Sequence, residues 1–349
     1  MRLLILGGTR FLGRHVVDAA LALGHDVTVF TRGRVPLPWG PRVAHRVGNR
    51  DPAVAPGLAA LERGEWDAVI DTSGYVPRCV RASAQALAGR VGHYVFVSSL
   101  SAYAEPTPPG LTEAAPLAAL ADPATEDVMA HYGALKAACE REVTGVFGAP
   151  RAALVRPGLI VGPHDATDRF GYWVARFLAP ELLGGRDEAI VVPAPRERRV
   201  QFVDARDLAS FIVALCERRA AGALNACSEP GHWTMGMLVA ALGECAARRG
   251  RAGTPVWVDD AALLAAGVAP WIGLPLWIPA GDESAAGFFE FDCSRAQGEG
   301  LVVRPLAATI DDTAVWLAER DNAGAWRDVL TAAQERSLVA ARTPAGMRS

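Results

Sequence analysis

The sequence predicts an α/β protein built on a doubly wound parallel sheet. Three observations carry this. The first thirty-four residues read as strand, glycine turn, helix, strand. Short apolar runs then alternate with helical patterns as far as Val155. The residues able to do chemistry fall at strand ends, where sheets of this kind bind their ligands.

The opening unit is the most regular. Leu3–Leu6 is a continuous apolar run, as suits a strand buried on both faces. Gly7-Gly8-Thr9-Arg10-Phe11-Leu12-Gly13 follows, and a helical pattern runs from Phe11 to Leu23 on Leu12, Val16, Ala19, Ala20 and Leu23. Gly24 ends it, and Val27–Phe30 reads as the second strand. Glycines at the first turn let backbone N–H groups and a helix N-terminus hold a pyrophosphate. Gly7, Thr9, Arg10, Phe11, Leu12 and Gly13 are therefore candidate cofactor contacts. Arg10 replaces the middle glycine of a GxxGxxG spacing, so a tight turn without a ligand is the alternative. After the second strand stands Thr31-Arg32-Gly33-Arg34, with no carboxylate for a ribose 2′-hydroxyl. Arg32, Arg34 and Arg10 could instead surround a 2′-phosphate, so NADP is expected over NAD.

A Pro-rich loop, Val35–Gly40, leads to a short third strand, Ala44–Val47. Asn49 beyond it is either an adenine contact or part of a solvated turn. Ala53–Arg63 is expected to be a helix and Trp66–Asp71 the fourth strand, with Thr72 and Ser73 along the cofactor cleft. A helix from Cys79 to Ala88 precedes the fifth strand, Tyr94–Val97, which ends in Ser98-Ser99-Leu100-Ser101. The segment 105–125 either folds over a substrate or lies on the surface. A helix from Asp127 to Phe147 carries Tyr132 and Lys136, and Ala152–Val155 is the sixth strand, ending in Arg156-Pro157-Gly158. Beyond about residue 165 the segments become shorter and richer in Trp. Regular patterns return at Phe202–Asp204, at a helix over Leu208–Cys216, at a core strand over Leu224–Ala226, and at a helix over Met235–Ala247 capped by Thr234. Trp271–Pro279 covers a pocket or interface, or is a plain surface cover.

Composition narrows the classes of function. A hydrophobic share of 51% with 21% charged residues supports a large core, in one domain or in two unequal ones. Net charge −3 supplies no basic field for nucleic acid or an anionic membrane. The six cysteines show no metal spacing and read as reduced core residues of a cytoplasmic protein. The apolar run near the N-terminus is too short for a signal peptide, and none approaches the roughly 20 residues of a membrane span.

Tyr132 and Lys136 lie four apart, one turn from each other on one helix face. An ammonium so placed is expected to lower the phenol's pKa, fitting Tyr132 for proton transfer beside hydride transfer at a carbinol carbon. A serine hydroxyl from the neighbouring strand end would orient the substrate oxygen. A Tyr and a Lys on a solvated face are the alternative; the order glycine turn, Ser-Ser strand end, YxxxK favours the catalytic reading.

Gly7–Gly13, the stretch Val97–Tyr103, Tyr132-Gly133-Ala134-Leu135-Lys136 and Arg156-Pro157 together resemble the extended short-chain dehydrogenase/reductase superfamily, most closely its NAD(P)-dependent epimerase/dehydratase group. The resemblance covers about residues 1–320. It implies a Rossmann domain over 1–165 with return segments near 200–230 and a smaller α/β substrate domain mostly over 166–335; beyond these, 336–349 reads as a tail that frays from Ala341. It implies Tyr132 as acid/base, Lys136 as its partner on the nicotinamide ribose, Ser99 or Ser101 on the substrate oxygen, and Pro157 beside the cofactor. Arg199 would meet a substrate phosphate or is a surface arginine; His164 beside Asp165 is a second acid/base or a structural histidine. Leu100-Ser101 stands where dehydratases carry Asp-Glu, which disfavours dehydration. A small-molecule carbonyl or alcohol is the expected partner, with net reduction and epimerisation both open, and a homodimer among the open oligomeric states. The Gly-Gly-Thr-Arg-Phe-Leu-Gly turn also resembles a branch with chloroplast stem-loop RNA-binding proteins; an intact Tyr–Lys pair and the negative charge weigh against that alternative.

Overall fold

A computed structural model describes residues 1–105, 108–185, 187–322, 325–326 and 328–342. The chain divides into two units: Met1–Ile160, Phe202–Glu229 and Phe291–Val303 form the first, and Val161–Gln201, Pro230–Glu290 and Arg304–Ser349 the second.

The first unit holds β1 (Arg2–Leu6), α1 (Phe11–Ala22), β2 (Asp26–Thr31), β3 (Val43–Val47), β4 (Trp66–Asp71), α2 (Pro77–Leu87), β5 (Val91–Val97), α3 (Val128–Phe147), β6 (Ala152–Pro157), α4 (Ala205–Arg218) and β7 (Gly222–Ala226). The strands make one seven-stranded sheet in the order β7-β6-β5-β4-β1-β2-β3, parallel throughout. Both faces are dry, because alternate residues of each strand point to opposite sides and both sides are apolar. Leu3, Ile5, Val29, Ile70 and Val95 pack with Val16 of α1 and Ile212 of α4. Leu4, Leu6, Val69 and Phe96 pack with Val80 of α2 and Val143 of α3 on the other face. Burial of each such side chain stabilises the fold by about 1.5–3 kcal/mol. The chain runs outward from β1 to β3, then returns to β4 on the other side of β1, so a crevice opens at the carboxyl ends of β1 and β4.

The second unit contains helices Arg169–Leu178, Met235–Ala247 and Leu306–Glu319, packed on one another, and a parallel strand pair, Ala189–Pro193 with Thr254–Val258. Thr234 caps its helix by accepting from the Met237 amide at 3.2 Å. Trp271–Pro279 packs within this unit: Trp277 is fully buried and its indole donates to Asp260 at 2.8 Å.

Two expectations need correction. Ala53–Arg63 forms turns and one short 3₁₀ segment, Ala59–Leu61, rather than a helix. Pro56 has no N–H to donate, and Gly57 follows at φ +60, which stops helical propagation. Of the expected tail at 336–349, the first residues instead belong to helix Ala332–Arg342, which buries Leu338; residues 343–349 lie outside the described residues. Residues 291–303 also join the first unit, which the sequence pattern does not announce. All six cysteines are buried. Among the described residues no group of side chains could hold a metal ion, and no helix is long and apolar enough to cross a membrane.

Candidate active site

A cleft of about 620 Å³ lies in the first unit, walled by the turn after β1, the ends of β2, β4 and β5, the start of β6's outgoing segment, and α3. Its floor is set by glycine. Gly7 and Gly8 adopt φ +108 and +94, and a Cβ on Gly13 would sit 2.6 Å from the Gly8 amide nitrogen. No other residue lets the helix start so close to the turn. Arg10 precedes α1 without a side-chain cap bond, leaving the helix N-terminus able to receive an anion. This cradle, open at a sheet switch point, fits a dinucleotide.

Gly7, Thr9, Arg10, Phe11, Leu12, Gly13, Arg32, Arg34, Asn49, Thr72, Ser73, Ser99, Tyr132, Lys136 and Pro157 all line this cleft. Arg10, Arg32 and Arg34 are exposed and have no ion pair among the described residues. Asn49 shapes its turn by accepting from the Asp51 amide at 3.0 Å while lining the cleft. The Thr72 and Ser73 hydroxyls both donate to the Leu6 carbonyl at 3.1 Å, tying the ends of β4 and β1 together. Ser101 does not line the cleft; it is exposed, and its amide donates to Ser99 Oγ at 3.1 Å. His164 and Arg199 belong to the second unit: His164 packs edge-on against Trp316, and Arg199 pairs with Glu290 at 2.5 Å.

Tyr132 follows a break in α3. His131 has φ −129 and ψ 29, so the turn capped by Asp127 ends there and regular helix resumes at Tyr132. The helix then passes so near the turn carrying Ser99 that a Cβ on Gly133 would lie 1.9 Å from the Ser101 carbonyl oxygen. That approach brings Tyr132 to the cleft wall that Ser99 also lines, near enough for Ser99 to act on the phenol. Burial pushes the Tyr132 phenol above its ordinary value, Tyr75 adds to this, and Ser99 opposes it. The expected lowering by Lys136 is therefore corrected: Lys136 Nζ donates instead to the carbonyls of Gly74 at 2.7 Å and Val97 at 2.6 Å. Lys136, the one lysine in the chain, is 3% exposed. Burial draws it down to about 8, against the opposing pull of Asp71.

Several residues in or behind the cleft have contacts that escape sequence reasoning. Asp71 is fully buried and held bidentately by Arg50, with the Tyr94 hydroxyl donating to it at 2.7 Å. A carboxylate ending an apolar strand signals a buried cation, but not which one. Arg156 is likewise buried, forked onto Glu140 at 2.9 and 2.7 Å, so this half of Arg-Pro fastens β6 to α3. Ser98 Oγ is buried at the cleft wall with no hydrogen-bond partner among the described residues. Tyr75 stands over Lys136, its ring centre 5.1 Å from Nζ.

A doubly wound sheet with a glycine-lined cleft at its switch point and a Tyr–Lys pair on the helix after a Ser-Ser strand end defines a protein of the extended short-chain dehydrogenase/reductase type. More narrowly, the chain belongs to the NAD dependent epimerase/dehydratase family, which residues 3–227 match. It is 35% identical over 164 residues to 2′-dehydrokanamycin reductase from Streptomyces kanamyceticus, covering 46% of this chain and 43% of that one. It is 29% identical over 184 residues to 2-alkyl-3-oxoalkanoate reductase from Stenotrophomonas maltophilia, covering 47% and 52%. The chain thus spans about half the length of the curated relatives it matches. Among solved structures it is similar to a nucleoside-diphosphate-sugar epimerase from Pseudomonas aeruginosa, with TM-score 0.64, 18% identity, and 92% and 99% of the two chains covered. It is also similar to UDP-glucuronic acid 4-epimerase from Bacillus cereus in complex with NAD, with TM-score 0.62, 15% identity, and 93% and 99% covered. At such identities the likeness is one of fold.

Proposed function

We propose that the protein is an NADP(H)-dependent oxidoreductase acting at a secondary alcohol or carbonyl carbon of a small polyhydroxy, sugar-like, nucleoside-like or cyclic ketone substrate. The observation that carries this is the convergence of Ser99, Tyr132 and Lys136 on the wall of the glycine-floored cleft, with Lys136 one turn beyond Tyr132 along α3. The cradle of Gly7–Gly13 and the N-terminus of α1 would hold the pyrophosphate, and Asn49 the adenine side. Arg10, Arg32 and Arg34, without ion pairs among the described residues, would take a 2′-phosphate, which favours NADP although structural relatives carry NAD. When bound, the nicotinamide supplies or accepts the hydride.

The chain's own residues handle the proton. Ser99 holds the substrate oxygen beside Tyr132 Oη, and Tyr132, a protonated phenol at neutral pH, gives its proton to that oxygen during reduction. The two reductases among the relatives favour the reductive direction. Lys136 contributes a positive charge at the foot of the site and a donor for the ribose. A recycled, tightly held cofactor would instead mark an epimerase, and mass spectrometry of the protein as purified separates the two. The RNA-binding alternative is weakened by the intact Tyr132, Lys136 and Ser99, and by net charge −3.

The test is NADPH consumption against a panel of keto sugars, oxidised nucleosides and cyclic ketones, followed by Tyr132→Phe on whichever reacts. Turnover should fall about 10²–10⁴-fold with NADPH binding retained. Near-normal turnover in Tyr132→Phe refutes the mechanism. Salt-sensitive RNA binding without nucleotide binding refutes the class.

A further inference from the structure

Lys136 sits in a dry place. It is 3% exposed, and its ammonium is bracketed by two aromatic rings, Tyr75 at 5.1 Å and the fully buried Phe96 at 4.5 Å from Nζ to ring centre. The Gly74 and Val97 carbonyls accept two of its three protons. The charged groups acting on it are Asp71 of β4, Arg50 after β3, and Glu140 on α3 itself, with the Cys139 thiol beside them. None of these gives it a dedicated counter-ion: Arg50 takes both oxygens of Asp71, and Arg156 both of Glu140. Beyond the shared pull of Asp71 and Glu140, what touches the ammonium is two carbonyls and two π faces.

Phe96 is a core residue of β5, but Tyr75 is not. It follows β4, is 45% exposed, lines the cleft, and stands 6.4 Å from the Tyr132 ring, tilted by 41°. Its hydroxyl makes no hydrogen bond among the described residues, so the ring face is what it offers to Lys136. A cation within about 6 Å of a ring centre is attracted to its face, and more strongly once desolvated.

We propose that Tyr75 is a positioning residue that keeps the Lys136 ammonium charged and seated, closing with Phe96 a cation–π bracket in which the aromatic face, not the hydroxyl, is what counts. Burial, only partly opposed by Asp71, has already drawn Lys136 to about 8, close to working pH. Without the Tyr75 face the amine would be partly neutral at neutral pH, and the charge available to Tyr132 and to a ribose would fade. The catalytic use of that charge rests on the oxidoreductase reading; the bracket itself does not.

Because Lys136 is the only lysine, protein grown on ¹³C-labelled lysine gives a single side-chain signal, whose pH titration is read by NMR with no cofactor or substrate present. Tyr75→Leu keeps apolar bulk and removes the π face, so the midpoint should drop by about 0.4–1.5 units, the worth of a partly desolvated cation–π contact. Tyr75→Phe should titrate as the wild type, and Tyr75→Trp at or above it. Circular dichroism confirms the fold of each variant, and Phe and Trp keep the ranking testable if Leu unfolds. An unchanged midpoint in Tyr75→Leu, or a drop in Tyr75→Phe as large as in Tyr75→Leu, overturns the proposal. So would a clear drop in Tyr75→Trp. A shifted midpoint in a protein that turns over no carbonyl compound supports the bracket and refutes only the oxidoreductase reading.

Discussion

Helix α3 contains two glycines whose replacement by alanine should have different effects. At Gly133 the new Cβ would lie 1.9 Å from the Ser101 oxygen and 2.9 Å from its carbonyl carbon. Ordinary contact lies at 3.4 Å or beyond, so helix and turn must separate by about 1.5 Å. Because the obstacle is backbone, a rotamer change cannot absorb it. Overpacking of this kind costs about 1–3 kcal/mol, offset by the roughly 1 kcal/mol that alanine gains over glycine inside a helix. Gly133→Ala should therefore be neutral to about 2 kcal/mol destabilised. Gly145 has nothing within 4 Å of its would-be Cβ, so Gly145→Ala should be stabilised by about 0.5–1 kcal/mol. Denaturant midpoints of the two variants decide this without a substrate. The larger consequence is chemical. A 1.5 Å separation would part Tyr132 from Ser99, and a misplacement near 1 Å can cost about 10²-fold in turnover. Equal stabilisation of both variants, or a Gly133→Ala enzyme of wild-type turnover, would refute the claim that this close approach seats the tyrosine.

Further outcomes follow from the same geometry. Arg32→Asp should weaken NADPH binding relative to NADH, as calorimetry would show; a wild type that binds NADH equally or better removes the basis for the NADP assignment. Buried Asp165 is pushed up to about 6 by desolvation, with Thr167 opposing through its amide at 2.8 Å and its hydroxyl at 3.0 Å. A carboxyl raised in the folded state contributes stability below its unfolded pKa near 4 and loses it as pH rises through 6. Asp165→Asn should thus be more stable than the wild type at pH 7 by about 1–3 kcal/mol, with the gap closing at pH 4; the pH dependence of unfolding free energy measures it.

The sheet of the first unit was legible because its strands are buried on both faces and read as unbroken apolar runs between turn residues. Even β7, at the far edge, shows through Leu224 and Ala226. The second unit was far less so. Helix Arg169–Leu178 is only ten residues long and is buried from Phe170 to Leu178, Arg176 included, so exposure does not follow a helical period along it. Ala53–Arg63 misled because its alanines favour helix while Pro56 and Gly57 forbid it. In the cleft, residues tied to a local motif were found: the glycine turn, Ser99, Tyr132 and Lys136. The Arg50–Asp71 pair was not, since β1 and β2 separate their strands in the sheet and only the folded backbone joins them. Tyr75 was missed for the same reason, its partner Lys136 being far along the chain.

That this chain carries thirty-four arginines and a single lysine also makes it a self-reporting object. A protease that cuts only after lysine has one bond to attack, and that bond lies in α3 beneath the cleft. Cleavage requires local unfolding of the helix to present an extended segment, so its rate measures how often this wall of the cleft opens. A nucleotide that closes on Lys136 should slow the cut in proportion to its occupancy. Amine-directed reagents and lysine-modifying enzymes face the same restriction. Apart from the terminal amine, which rests on His25 Nδ1 at 3.1 Å, the folded protein offers them nothing that is not already engaged in the cleft.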